Sequence, residues 1–235
     1  MGIPFVGVAM SHAAFAGAIF GLFFQINPLL MAMIFSLAST LLIGPIADRG
    51  DLNPNISIGI IFSTLLGIAF LGIGLIKGPK TQAFNFIWGN ILTVSSRDLR
   101  FLTGITIAVV LFLVLLYKEI QAVLFSRELA KAVGIPEKWL FYFLLFLCGA
   151  TVTFSLNIIG GLLIFSLIIN PPSAAYQLTY SLKKMYLLSV LFSVGSCVLG
   201  LLFSYIFDVP SGAVIIIVSS LIFGVCLLVS PKRRL

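Results

Sequence analysis

Uncharged apolar runs recur along this chain at about the length needed to cross a bilayer, and no other feature limits its fold as much. They occupy residues 4–24, 29–46, 56–76, 101–117, 139–156, 158–170, 185–207 and 211–230, where a helix needs roughly 20 apolar residues to span the hydrocarbon. A segment in hydrocarbon must satisfy its backbone hydrogen bonds internally, which a helix does. The runs therefore predict an all-α, polytopic helical membrane protein of about eight spans, with 158–170 the shortest. Composition agrees: 60% of residues are hydrophobic and only 9% charged, against about a quarter charged in a soluble domain. The run 84–95, FNFIWGNILTVS, is apolar but short and contains Gly89 and Asn90. It reads as an interfacial or re-entrant piece that does not cross.

The N-terminus has no basic leader, and its first apolar run exceeds the 7–15 residues of a signal core; it is expected to stay in the mature protein. Cys148, Cys197 and Cys226 stand singly inside apolar runs, so they read as small buried hydrophobes and not as metal ligands. Orientation follows from the basic residues in short loops. With the tail PKRRL inside, alternation places Arg49, Lys118, Arg127, Lys131, Lys138, Lys183, Lys184, Lys232, Arg233 and Arg234 inside, and only Lys77, Lys80, Arg97 and Arg100 outside. That bias assigns the net charge of +7 to membrane lipid at the inner leaflet and needs no nucleic acid. No repeat or low-complexity linker divides the chain, so 1–235 reads as a single transmembrane domain.

The longest polar interruption is YKEIQAVLFSRELAKAVGIPEKW, residues 117–139. Within it Ser126 can cap a helix, Phe125, Leu129 and Val133 follow at i, i+4 and i+8, and Gly134 with Pro136 supplies a stop. The result is a short amphipathic helix, which from pattern alone is equally a surface helix on the membrane or a lever for a partner. Signals for catalysis are weak. The acids Asp48, Asp51, Asp98, Glu119, Glu128, Glu137 and Asp208 sit in loops or at span ends, so no intramembrane carboxylate pair exists to relay protons. No serine or cysteine shares a span with the partners of a hydrolase. GLIKGPKT, near 74–81, has proline between Gly78 and Lys80 where a phosphate-binding loop needs glycine next to lysine.

What remains is GVAMSHAAFAGA, residues 7–18, which holds the only histidine of the chain. A neutral imidazole is the commonest protein ligand for zinc and related ions, and a polar group inside a span is costly enough to suspect a function. The competing reading has His12 hydrogen-bonding a neighbouring helix. Met10, Ser11, Asn157, Asn170 and Ser173 are further polar or soft groups of the spans. Ala13, Gly17 and Gly21 form a row of small residues that lets another helix approach closely, and this row reads as structural.

The same string resembles DALSHAALPGV, a signature of the permease subunits of ABC-type metal-ion importers. Four further strings follow in the family's order. GNILTVSSRDL at 89–99 is similar to GSILTVSPSDL, and FSRELAKAVGIP at 125–136 to FDPELARALGLP. GGLLIFSLIINPPSAA at 160–175 is similar to GALLVTALLIIPAATA, and DVPSGAVIII at 208–217 to DTPTGAVIVL. Together they extend over nearly the whole chain.

The resemblance implies a type II ABC importer-like permease in a prokaryotic cell membrane, carrying zinc, manganese or iron(II) as substrate. It implies no catalytic residue and no bound cofactor in this chain. Two permease chains would enclose the path as a homodimer, cytoplasmic ATP-binding subunits would hydrolyse ATP, and an extracytoplasmic binding protein would deliver the metal. It makes 125–136 the helix that couples to the ATPase, through Ser126, Arg127, Glu128, Leu129, Ala130, Val133 and Gly134. His12 becomes a metal ligand of the path, with Asn157 and Asn170 as helpers. The family also places a metal-binding aspartate four residues before this histidine, where this chain has Val8, so that part does not carry over. It further implies a hydrophobic helix and an arginine pair ahead of the histidine motif, whereas the sequence starts at MGIPF. An ABC permease for a metal chelate, or a membrane scaffold or sensor subunit without transport, are the alternative readings.

Overall fold

A computed structural model of the chain describes the backbone of residues 3–50, 54–77, 79–89, 91 and 94–234; the side chains of 3–6, 43–50, 54, 55, 127, 157, 233 and 234 lie outside the description. The described residues form helices α1 (Ile3–Phe23), α2 (Pro28–Gly50), α3 (Pro54–Leu75), α4 (Thr81–Trp88), α5 (Ser96–Leu115), α6 (Tyr117–Phe125), α7 (Arg127–Ala132), α8 (Glu137–Ile159), α9 (Gly161–Leu178), α10 (Leu182–Phe207) and α11 (Ser211–Leu228), then a short 3-10 turn, Pro231–Arg234. Six of these, α3, α5, α8, α9, α10 and α11, are long and apolar enough to cross a membrane, and α1 and α2 contribute the shorter apolar stretches Gly7–Phe23 and Pro28–Leu42. The protein is a multi-pass, all-helical membrane protein.

Helix ends follow local chemistry. Asn27 precedes Pro28, and its side-chain oxygen accepts from the Leu29 and Leu30 amides at 3.0 and 3.3 Å, an N-cap with proline at the first helical position. Ser95 and Asp98 form a reciprocal capping box at the start of α5, which satisfies two of the amides that every helix start leaves free. The run 158–170, expected as the shortest span, is divided between the end of α8 and an α9 that starts at Gly161 and continues through Pro171 and Pro172 to Leu178. Proline removes a backbone bond, but packed membrane helices tolerate it because neighbours and local adjustments take up the freed groups.

The centre of the fold is α1, which packs on α2, α3, α8 and α9. The α1–α2 pair is held by absence of side chain: a Cβ at Gly17 would meet the Met31 carbonyl, and one at Gly21 would lie 2.7 Å from Pro28 Cα. Ala14, Phe15, Ile19 and Ala32 join Phe86 of α4 and Leu156 of α8 in one buried cluster. That cluster explains α4. Eight residues cannot cross a bilayer, and Phe86 and Ala83 anchor this helix in the core.

The end of α4 fits against the break between α8 and α9. Gly89 and Gly160 have φ of 71° and 77°, and a Cβ on either would fall on the other's backbone or on that of the residue before it. Only glycine allows both the positive φ and this approach.

Candidate functional site

His12 lies nine residues into a 21-residue α1, about 14 Å along an axis of roughly 31 Å, close to mid-span. Its ring is half-buried between two aromatic edges, Phe62 of α3 at 4.6 Å and Phe165 of α9 at 5.7 Å between centroids. Nδ1 lies 3.2 Å from the Val8 carbonyl oxygen and 3.2 Å from Ser11 Oγ. The Ser11 hydroxyl itself donates to the Val8 carbonyl at 2.8 Å. With that hydroxyl proton committed, a proton on Nδ1 satisfies both contacts, and the lone pair then resides on Nε2. A backbone carbonyl that fixes the protonated nitrogen in this way sets the tautomer of an imidazole ligand.

Position 8, where the resembled family carries an aspartate, thus orients the imidazole through its backbone oxygen while its side chain is buried and apolar. This was missed in the sequence, although an i to i+4 spacing places a residue over the carbonyl one turn earlier. Met10 is fully buried on another side of α1. Among the described residues no group of three or more His, Cys, Asp and Glu comes together.

Asn170 belongs to a different constellation. Its amide nitrogen is 3.0 Å from each of Ser166, Ser219 and Ser220 Oγ, and the Ser166 and Ser219 hydroxyls are 2.9 Å apart. These groups join α9 to α11 in mid-span, and among the described residues no hydrogen bond links Asn170 to His12. Asn157 is in the last turn of α8, with its side chain outside the described residues, and Asn90 lies outside them altogether.

The segment 125–136 divides its residues cleanly. Ser126 accepts from the Leu129 amide at 3.3 Å and caps α7. At the other end the Gly134 amide donates to the Lys131 carbonyl and the Ile135 amide to the Ala130 carbonyl, with Gly134 at φ 81°. This pair of bonds is the Schellman closure that glycine makes available. Ala130 is buried against Ile120, Val123 and Leu140, whereas Phe125, Leu129 and Val133 are 84%, 57% and 73% exposed. Glu128 is exposed as well, and the Arg127 side chain lies outside the described residues. A helix pinned by its small residue shows its apolar ones.

A family model described as the ABC 3 transport family matches residues 2–230. The chain belongs to this family. It is 33% identical over 234 residues to the manganese transport system membrane protein MntC of Listeria monocytogenes, covering 100% of this chain and 83% of that protein. It is 32% identical to the manganese import system permease protein ScaB of Streptococcus gordonii, covering 99% of this chain and 84% of that one. Among solved structures it is similar to PsaBC from Streptococcus pneumoniae in complex with Fab, with a TM-score of 0.85 at 30% identity over 99% of this chain and 84% of that one. For this member of the ABC 3 transport family, that likeness extends over essentially the whole helical fold.

Proposed function

We propose that this chain is the membrane-spanning permease of an ATP-driven manganese importer. The observation that carries the reading is its likeness, over essentially its full length, to permeases named for manganese transport. Carbonyl and water oxygens suit manganese while imidazole equally suits zinc and iron, so the choice of metal rests on the likeness and not on His12. His12 Nε2 is the nitrogen donor, and the ion keeps water or takes oxygen ligands for the rest of its shell. A second copy of the chain across the path would bring a second His12.

Movement comes from outside the chain. ATP-binding subunits dock on the cytoplasmic face at α7, through Phe125, Leu129 and Val133 around the capped turn of Ser126, Arg127, Glu128 and Ala130 and the Gly134 closure. Closure of two such subunits shifts α6 and α7 as a rigid pair against α8, and the path beside α1 changes the side to which it opens. An extracytoplasmic binding protein supplies the ion at the opposite face, near α4 and the α10–α11 connection.

The test is elemental analysis of manganese, zinc and iron in cells that express the chain with its ATPase and binding protein, as wild type and as His12→Ala at matched membrane abundance. A gain in manganese that the substitution abolishes is expected. A gain in zinc or iron alone would overturn the metal assignment, and no gain in any metal would overturn transport. Manganese uptake indifferent to the substitution would remove His12 from the path.

A further inference from the structure

A cavity of about 740 Å³ opens on the side of α1 away from His12. Met10 lines it and precedes His12 by two residues, which places the two about 200° apart around the helix. The wall is apolar: Gly7 and Met10 of α1, Ile120 of α6, Leu145 of α8, Ile169 of α9 and Phe223 of α11 all face it, and no acid lines it among the described residues. The polar groups of the lining gather at one end, where Tyr176 and Gln177 close α9 and Tyr186 stands in the second turn of α10.

That end is held by cations. Lys232 Nζ sits 3.4 Å from the centroid of Tyr176 and 4.6 Å from that of Tyr180. It is delivered there by Ser230, whose hydroxyl lies 3.0 Å from the Gln177 carbonyl and 3.0 Å from its side-chain oxygen. On the other flank Tyr186 meets Tyr117 edge to face at 6.4 Å, and Lys183 Nζ lies 5.6 Å over the Tyr117 ring. Glu119 and Glu137 are the acids at this end of α6 and α8, outnumbered by Lys118, Lys138, Lys183, Lys184 and Lys232.

We propose that the cavity binds an anionic phospholipid of the cytoplasmic leaflet, with one acyl chain inside and the phosphate held between Lys183 and Lys232. An apolar lining closed by aromatic rims and ammonium groups is complementary to a chain with a negative head, and to no hydrated ion. The size agrees: taking a methylene as about the roughly 30 Å³ of a water molecule, a 16-carbon chain fills roughly 480 Å³. Inner-leaflet anionic lipids are drawn to basic residues at this depth, and tyrosine and lysine are the side chains that settle at the headgroup level. The proposal shares with the proposed function only the orientation of the chain, and its test reads no transport.

The test places the permease, assembled with its ATPase subunits, in phosphatidylcholine nanodiscs. A trace of phosphatidylglycerol or phosphatidylcholine with a photoactivatable diazirine in its acyl chain is added, and adducts are mapped by peptide mass spectrometry. The expected result is labelling around Leu145 and Ile169 that is about tenfold stronger with phosphatidylglycerol. The Lys183→Gln/Lys232→Gln pair, the first exposed and the second half-buried over Tyr176, should bring the ratio close to one, with a thermal melt of the variant showing that the fold persists. Ile169→Trp should reduce labelling by both probes. Equal labelling by the two lipids in the wild type, or a preference that survives loss of both lysines, would overturn the headgroup assignment. Adducts confined to the exposed faces of α5 and α10 would mean that protein covers the cavity, and would overturn the site.

Discussion

Replacing Phe125 with alanine removes a side chain that is 84% exposed at the corner between α6 and α7, so the permease itself should hardly notice. Surface substitutions of this kind stay within about 0.5 kcal/mol of the parent stability. Docking is another matter. Full burial of a phenylalanine is worth about 1.5–3 kcal/mol, and with 84% of the residue available roughly 1.3–2.5 kcal/mol can be gained when an ATPase subunit covers it. At 1.4 kcal/mol per factor of ten, Phe125→Ala should weaken that binding about 8- to 60-fold. Val133→Ala should give a smaller loss because valine offers less area. Ala130→Leu is the reciprocal control: Ala130 is 1% exposed against Ile120, Val123 and Leu140, and overpacking there costs about 1–3 kcal/mol of fold. The assay titrates purified ATPase subunit onto nanodisc-held permease by interferometry and records a thermal melt for each variant. An affinity within twofold of wild type for both Phe125→Ala and Val133→Ala would refute the assignment of α7 as the docking helix.

Gly160→Ala should lower the melting temperature far more than Gly134→Ala, although both have φ near 80°. At Gly160 the new Cβ strikes backbone of Trp88 and Gly89, and at Gly134 nothing lies within 4 Å; the second change therefore costs only the roughly 1–2 kcal/mol of left-handed backbone, and equal melts would show that the Gly89–Gly160 contact is not formed. Gly17→Val should reduce the amount of chain found in the membrane, because the side chain meets the Met31 carbonyl and approaches Phe35 Cβ; normal abundance on a quantitative blot would contradict the α1–α2 packing. Ser219→Ala removes a hydroxyl bonded to Ser166 and Asn170, and an average intramembrane hydrogen bond of about 0.6 kcal/mol sets the expected loss in a detergent unfolding titration.

The helices were legible because hydrocarbon forces each span to be a continuous apolar helix, and the eight runs reappear as α1, α2, α3, α5, α8, α9, α10 and α11, with ends displaced by a few residues except at α9, which runs eight residues further. Where the reading failed, a long-range contact or the lipid environment decided. The run 158–170 looks too short for a span because Asn170, Pro171 and Pro172 interrupt its apolar composition, and α9 continues through them to Leu178. Tyr117–Phe125 forms a helix of its own after a break at Leu116, where no side-chain cap announces it. Gly89 and Gly160 are visible as glycines, but their meeting across 70 intervening residues is not written in any local pattern. At α7 sequence and structure agree for a local reason: the serine cap, the i, i+4, i+8 apolar row and the glycine stop lie within ten residues of one another.

The site itself was legible as a residue and not as a geometry. His12 stands out as the only histidine, and a comparison of side chains at position 8 sees only a lost carboxylate. The structure separates two roles that such a carboxylate would combine. Orientation of the ring survives, because the Val8 carbonyl and Ser11 supply the contacts at Nδ1 whatever side chain position 8 bears. Charge does not survive, because valine adds none. In the proposed importer this shifts the balance at the mid-span station. An alternating-access carrier must release its ion in every cycle, and a ligand set without a carboxylate holds a divalent cation less tightly. Under that proposal, delivery by an extracytoplasmic binding protein would take over selection of the ion, and His12 would provide a stepping point between the two openings. Restoring the charge tests that division: Val8→Asp should tighten metal binding by the purified permease while slowing turnover at saturating metal. Faster turnover in that variant would show that the missing carboxylate limits the wild-type path.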